Sequence, residues 1–480
     1  MMTIERIRRQ AAQHPERTAY RFRGSTITYG ELLDRAEALA GALQARRYRT
    51  CVLYGGKEPE MPAAILGCLL GGVTYVPVSE ATPKERLRRI LLASGADCVI
   101  SSRPPQSDLV PWLSLQELLS PGAGLSSAPE PFGPAYIIFT SGSTGEPKGV
   151  PISRENLDNF TGWITSIPEL ARETACRVLN QASFSFDLSV ADLYYAFCGG
   201  HELVALDPVL TADPAGLHEF WRNGSINVAV CTPTFLKLCL TDPEFDSRHL
   251  PDLRTVYSCG ESLPSAVAAK LLQRFPELSL INAYGPTEAT SAVCAVTITK
   301  QTTQQEILPA GEIASAACEI IIEDGEIVLK GRSVFSGYLG ALNGGWYREK
   351  GRNCFRTGDL GEIRDGYLYC TGRKDRQIKW KGYRIELDEI EQTIGALPGV
   401  RSCAVIAKRS PTGEVRTVKA FVEPEENSLC ITYVNGKEED LRSALAEKLP
   451  AYMLPKTIVF QEKLPVTPNG KLDRKILEEM

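Results

Sequence analysis

The stretch Thr140-Ser-Gly-Ser-Thr-Gly-Glu-Pro-Lys-Gly149 governs how the rest of this 480-residue chain reads. It follows the apolar run Tyr136-Ile-Ile-Phe139, a strand signal leading into a loop. Four hydroxyl residues, Thr140, Ser141, Ser143 and Thr144, interleave with Gly142 and Gly145. The backbone N–H groups of such a loop can fold around an anion, with hydroxyls as extra donors and Lys148 as a positive charge. The Walker pattern is absent, because Glu-Pro-Lys-Gly follows Gly145. The plain alternative is a Gly/Ser surface loop, but linkers seldom sit directly behind a buried-type strand with one fixed lysine. The loop is expected to bind a triphosphate.

Strand-like runs alternate with helical ones on both sides of this loop. Upstream, 51–54, 74–78 and 97–101 read as strands around the helical runs 61–70 and 83–94. Downstream, strand runs recur at 178–179, 202–206, 228–231, 255–258 and 278–282. The alternation predicts an α/β fold of largely parallel sheet covered by helices. Residues 3–46 read as helical, interrupted by a short hairpin at 22–28, and Thr28 with Glu31 forms a capping-box signal. A Pro/Gly/Ser-rich connector spans 120–134. The character turns β-rich after Leu308, and an α+β segment follows Asp375. Two domains are expected, a large one over 1–374 and a small one over 375–480.

Composition is that of a folded soluble protein, with 43% hydrophobic and 23% charged residues. A net charge of −5 gives no general attraction to nucleic acid or anionic membrane. The first ten residues lack the apolar core of a signal peptide, and no uncharged run reaches membrane-spanning length. Fourteen scattered cysteines without a Cys-x-x-Cys pair, and only four histidines, argue against zinc and for reduced cytoplasmic thiols in the core.

Four further segments carry polar chemistry. Asn282-Ala-Tyr-Gly-Pro-Thr-Glu-Ala-Thr290 offers an aromatic face at Tyr284, a tight turn at Gly285, and a hydroxyl and carboxylate at Thr287 and Glu288. Taken alone, it is equally an ordinary turn. Asp359, flanked by Gly358 and Gly361, could accept both hydroxyls of a ribose or merely form an Asx-turn. The charged run from Gly372 to Glu386 is either a solvated strand edge or a hinge beside a nucleotide, with Arg373 near the ligand and Asp375 absorbing the rotation. Lys471 follows a Pro/Asn/Gly turn and is either a reaching cation or part of a frayed terminus.

These five motifs in this order resemble the adenylate-forming superfamily over essentially the whole chain. The resemblance implies that a carboxylate and ATP give an acyl-adenylate and pyrophosphate, after which a thiol takes the acyl group. It also implies a small C-terminal domain that rotates about Asp375. The loop from Thr140 to Lys148 would hold the β- and γ-phosphates, with Asn282, Ala283, Tyr284, Gly285 and Thr287 around the nucleotide. Glu288 would bind Mg²⁺, Asp359 and Arg373 would hold the ribose, and Lys471 would bridge substrate carboxylate and α-phosphate. Thr140, Glu288 and Lys471 would act in catalysis, by positioning and charge stabilisation.

Phe184-Ser-Phe-Asp-Leu-Ser-Val190 resembles the amino-acid-activating branch, where the aspartate, here Asp187, holds the substrate α-ammonium group. A helix-capping aspartate is the plainer reading. The segments 185–194, 231–239, 259–264 and 282–290 are similar to the D-alanine–D-alanyl carrier protein ligases. That family loads D-alanine onto a carrier's phosphopantetheine for lipoteichoic acid modification. It implies an amino-acid pocket of Asp187, Leu188, Ala191, Val230, Tyr257, Cys259 and Ala283, with Cys259 crowding the substrate side chain. The chain departs from the family at Ala191, where methionine is usual, at Tyr257, where a smaller aliphatic stands, and at Val230 and Ala283, where hydroxyl residues are common.

D-alanine is therefore the expected substrate, with a carrier protein as partner, no membrane insertion and a monomeric state. Another small amino acid (glycine, L-alanine or serine) loaded onto a biosynthetic carrier is the alternative. A nucleotide-binding regulator is disfavoured by the presence of Lys471, Glu288 and Asp359 together.

Overall fold

Thr28 caps the helix Tyr29–Arg46: its side chain accepts from the Glu31 N–H, and the Glu31 carboxylate accepts from the Thr28 N–H. The preceding interruption is the antiparallel hairpin Thr18–Phe22 and Ser25–Thr28. The computed structural model describes residues 1–120, 131–142, 145–341, 344–410, 415–425, 438–467 and 472–480. Ser143, Thr144, Lys471 and most of the 120–134 connector lie outside these residues.

The chain divides into two compact units. The first comprises Met1–Glu80, Ala93–Ile138 and Gly149–Lys374. The second comprises Ala81–Leu92, Phe139–Lys148 and Asp375–Met480. The main chain passes between them five times, the last at Lys374–Asp375, and the segment with the Gly/Ser loop groups with the second.

The alternation of strand and helix signals produces parallel pairing. An eight-stranded sheet runs in the order Cys294–Ile298, Ser279–Tyr284, Thr255–Ser258, Val228–Cys231, Arg177–Asn180, Glu202–Ala205, Thr18–Phe22 and Ser25–Thr28. Its six inner strands pair parallel, while the two outer strands are antiparallel to their neighbours. Strand alternation sends Val230, Tyr257 and Ile281 to one apolar core and Ala229, Val256 and Leu280 to another. The helix Leu188–Gly199 is buried along nearly its whole length in the first of these cores.

A six-stranded sheet contains Thr50–Gly55, Thr74–Ser79 and Cys98–Ser101, paired parallel. The β-rich region after Leu308 is an antiparallel sheet in which Arg352–Arg364 pairs with Glu326–Lys330, Trp346–Glu349 and Tyr367–Arg373. In the second unit, Val400–Arg409, Val415–Pro424 and Thr457–Phe460 form a three-stranded sheet, whose core also takes in the helix Leu387–Gly395. Every described cysteine is a free thiol, and most are buried.

Candidate active site

The turn after strand Ser279–Tyr284 is built by close backbone approach. A Cβ on Gly285 would meet the Cα of Ala292 at 2.4 Å, so no larger residue fits there. The turn delivers Thr287 and Glu288 in a short 3-10 helix, Thr287–Ala289. Glu288 is fully buried, and the Tyr338 hydroxyl lies 2.5 Å from its Oε1. The Phe335 N–H donates to the Glu288 carbonyl at 2.8 Å, which pins the segment bearing Tyr338 to this turn.

The Thr287 hydroxyl donates to Oδ2 of Asp187 at 2.6 Å. Asp187 stands at the N-terminal end of helix Leu188–Gly199, but its side chain makes no capping bond. The helix-capping reading of Asp187 is thereby set aside: its carboxylate turns toward Thr287. Ala191 lies one turn further along the helix, beside the core that holds Val230, Tyr257, Cys259 and Ala283. Val230 is in register with Tyr257, and Tyr257 with Ile281, so one sheet face carries Val230, Tyr257 and, two residues beyond Ile281, Ala283. The Tyr257 ring is fully buried, and its hydroxyl has no hydrogen-bond partner among the described residues. Burial, then the neighbouring Cys259, Cys294 and Asp187, push this phenol well above its ordinary pKa.

Asp359 and Arg373 oppose each other in antiparallel register, which places the guanidinium NH1 2.5 Å from Oδ1. The other oxygen, Oδ2, accepts the Tyr284 hydroxyl at 2.8 Å. Tyr284 and Asp359 are buried and Arg373 partly so, and burial followed by the Asp359 charge raises the Tyr284 phenol well above its usual pKa. Asn282 turns its side chain away to the Pro309 carbonyl, at 2.7 Å.

Within the second unit, the Gly142 N–H donates to Oε2 of Glu389 at 3.1 Å, and Arg86 NH1 holds Oε1 at 2.6 Å. The Ser141 hydroxyl donates to the Arg384 carbonyl at 2.8 Å and accepts the Glu386 N–H at 3.1 Å. A Cβ on Gly142 would lie 2.1 Å from the Glu146 carbonyl oxygen, so the loop path requires glycine. The Thr140 hydroxyl is buried with no hydrogen-bond partner among the described residues, which fits a donor kept for a phosphate oxygen. Asp375 accepts the Gln377 N–H at 3.2 Å, a local turn at the passage between the units.

Sequence reasoning missed Tyr338, Arg86 and Glu389. The first stands between the positive-φ glycines Gly337 and Gly340, a pattern with turn but not functional content.

Comparison with known proteins gives two family matches. Residues 7–339 match the AMP-binding enzyme family, and residues 389–471 match the AMP-binding enzyme C-terminal domain. The chain is 38% identical to the D-alanine–D-alanyl carrier protein ligase of Bacillus velezensis, over 100% of this chain and 99% of that protein. It is 37% identical to the enzyme of the same name from Bacillus anthracis, over 99% of each. Among solved structures, it resembles the Vibrio cholerae adenylation domain AlmE in complex with glycyl-adenosine-5'-phosphate. The TM-score is 0.82 at 24% identity, covering 99% of this chain and 97% of that one. An NRPS protein containing adenylation and PCP domains gives a TM-score of 0.83 at 25% identity, covering 99% and 83%. No helix among the described residues is long and apolar enough to cross a membrane.

Proposed function

Since the chain belongs to the AMP-binding enzyme family, together with the D-alanine–D-alanyl carrier protein ligases, we propose that it activates D-alanine with ATP and transfers it to a carrier protein. The observation that carries this reading is the Asp187 carboxylate, turned from its helix toward Thr287 at 2.6 Å. A half-buried carboxylate close to the buried Tyr257 suits a ligand that brings its own positive charge, as an amino acid does.

The D-alanine carboxylate attacks the α-phosphorus of ATP, releasing pyrophosphate and leaving the mixed anhydride. The phosphopantetheine thiol then attacks the anhydride carbonyl and AMP departs. Asp187 orients the substrate by its ammonium, so that the carboxylate points to the nucleotide. Ala191, Leu188, Val230, Tyr257, Cys259 and Ala283 limit the side chain to a methyl group. Asp359, held by Arg373 and Tyr284, takes the ribose hydroxyls, and the Tyr284 ring stacks on the adenine base. The Thr140–Lys148 loop takes the terminal phosphates. Glu288 is the protein carboxylate that would hold a magnesium ion, which would supply positive charge against the phosphate charge that develops as pyrophosphate leaves. Lys471, outside the described residues, serves the adenylation step. The domain at 375–480, hinged at Asp375, presents 381–384 for the second step.

Amino-acid-dependent pyrophosphate release with Mg-ATP tests the proposal, comparing D-alanine with L-alanine, glycine and serine. D-alanine is expected to give the highest kcat/KM, followed by loading of a phosphopantetheinylated carrier. A clear preference for another amino acid would refute it.

A further inference from the structure

Lys57 is a lysine with almost no contact with water. It follows strand Thr50–Gly55 and is only 3% exposed. Its Nζ donates to the carbonyls of Asn180 and Gln181, each at 2.9 Å. Among the described residues no carboxylate lies within ion-pair distance of it. An ammonium this deep is costly unless its hydrogen bonds are made, so the bonds it does make are informative.

Those bonds fall where the chain leaves strand Arg177–Asn180 and sets out toward Asp187. The base of the lysine is itself fixed, because its carbonyl accepts the Tyr20 hydroxyl at 2.7 Å. The same segment is held from its other side. Asn180 Nδ2 donates to both oxygens of Asp192, at 3.0 and 2.9 Å, and to the Ala182 carbonyl at 3.1 Å. Asp192 is fully buried on the helix that begins beside Asp187. The stretch from Asn180 to Asp192 is therefore closed into a loop, with Lys57 at its mouth and Asp187 within it.

We propose that Lys57 is a positioning residue for the amino-acid site: it fastens the start of the segment that carries Asp187 and so sets where that carboxylate meets the substrate ammonium. The inference rests on the reading of Asp187 as the ammonium-holding group. Lys57 touches no substrate; it acts through the Asn180 and Gln181 carbonyls.

Protonation gives the proposal a signature. Burial lowers the Lys57 pKa to about 7, against the opposing pull of Asp192 and Asp207. Glu58 and Glu60 act on the adjoining Tyr20. Above that pH the ammonium becomes an amine, and its bonds to the two carbonyls lose their charge assistance. The grip on the loop weakens as pH rises.

The test compares Lys57→Met, Lys57→Arg and Asp187→Asn with the parent enzyme. Pyrophosphate release gives the KM for D-alanine between pH 6.5 and 8.5, and calorimetry gives the Kd for Mg-ATP. Lys57→Met is expected to raise the D-alanine KM at least tenfold at pH 6.5, to leave kcat and the ATP Kd within about twofold, and to abolish the parent's rise in KM with pH. Lys57→Arg is expected to recover most of the loss. An unchanged D-alanine KM in Lys57→Met would overturn the proposal. So would a fall in ATP affinity matching the fall in amino-acid affinity, which is what a merely structural lysine gives. Asp187→Asn separates the two levels: if it disrupts D-alanine use while Lys57→Met does not, only the Lys57 inference fails. If Asp187→Asn has no effect, the ammonium reading fails, and the inference with it.

Discussion

Oδ2 of Asp187 accepts the Thr287 hydroxyl at 2.6 Å, joining two residues a hundred positions apart in the chain. The contact links the helix that would meet the amino acid with the turn that bears Glu288. Thr287→Val keeps the shape and removes the donor. A hydrogen bond to a charged group contributes about 1.5–3 kcal/mol, and part of that here is orientation of the carboxylate. The D-alanine KM should therefore rise by about tenfold, with the Kd for Mg-ATP little changed. Steady-state pyrophosphate release across D-alanine concentrations checks this, and an unaltered KM would mean that Asp187 needs no help from Thr287.

The polar motifs were legible because each couples an unusual residue to a turn: Gly285 ahead of Thr287 and Glu288, Gly358 ahead of Asp359, Thr28 ahead of Glu31. The parallel sheets were legible because apolar runs alternate with amphipathic ones. What was not legible is pairing at a distance. Nothing local to Tyr284 announces that its hydroxyl reaches Asp359, or local to Arg86 that it meets Glu389. Lys57 sits in Gly55-Gly-Lys-Glu-Pro59, which looks like a solvated turn, yet the fold buries it. Burial is a property of the assembled sheets and helices, and one sequence does not display it.

Tyr338 is the clearest residue of that kind, since its hydroxyl lies 2.5 Å from a fully buried glutamate oxygen. In Tyr338→Phe, Glu288 loses that partner while the ring still packs against Phe335, whose centroid is 4.8 Å away. If Glu288 serves the magnesium–triphosphate complex, the Tyr338 hydroxyl orients its carboxylate. One charge-assisted hydrogen bond of about 1.5 kcal/mol corresponds to roughly tenfold. Adenylation kcat should fall by about that factor, and half-maximal activity should require more magnesium. Titrating pyrophosphate release with magnesium at saturating ATP reads both effects. A kcat within twofold of the parent would assign Tyr338 to packing alone.

The Tyr257 hydroxyl is fully buried without a hydrogen-bond partner among the described residues, so it bears the cost of desolvation. Removing an oxygen of this kind stabilises a protein by about 1 kcal/mol. Tyr257→Phe should raise Tm by roughly 1–2 °C at this chain size. Amino-acid selectivity should not move if the ring, rather than the hydroxyl, fills the space left at Ala191. Differential scanning calorimetry measures the first outcome and the ratio of kcat/KM for D-alanine and D-serine measures the second. A loss of stability would show that the oxygen has a partner in solution, and a changed ratio would place it against the substrate.

His201 contributes to the pH dependence of stability in the first unit. It is buried beside Tyr195, with ring centroids 5.0 Å apart, and its Nδ1 faces the Cys176 N–H at 3.4 Å. Burial lowers its pKa to about 4 from an ordinary value of 6.5. The sign follows from proton counting. Between these two values the unfolded chain binds a proton at this ring and the folded chain does not, so acid favours unfolding. The full contribution is present above about pH 6.5 and is lost progressively as pH falls toward 4. At pH 5 the loss from this one group is about 2 kcal/mol, since each pKa unit corresponds to about 1.4 kcal/mol. His201→Gln offers a neutral acceptor in place of Nδ1 and does not titrate. Urea denaturation midpoints at pH 7.5 and pH 5 should therefore diverge less in His201→Gln than in the parent. If both proteins lose stability equally on acidification, the acid sensitivity arises from other groups, and the imidazole takes up its proton without opening the fold.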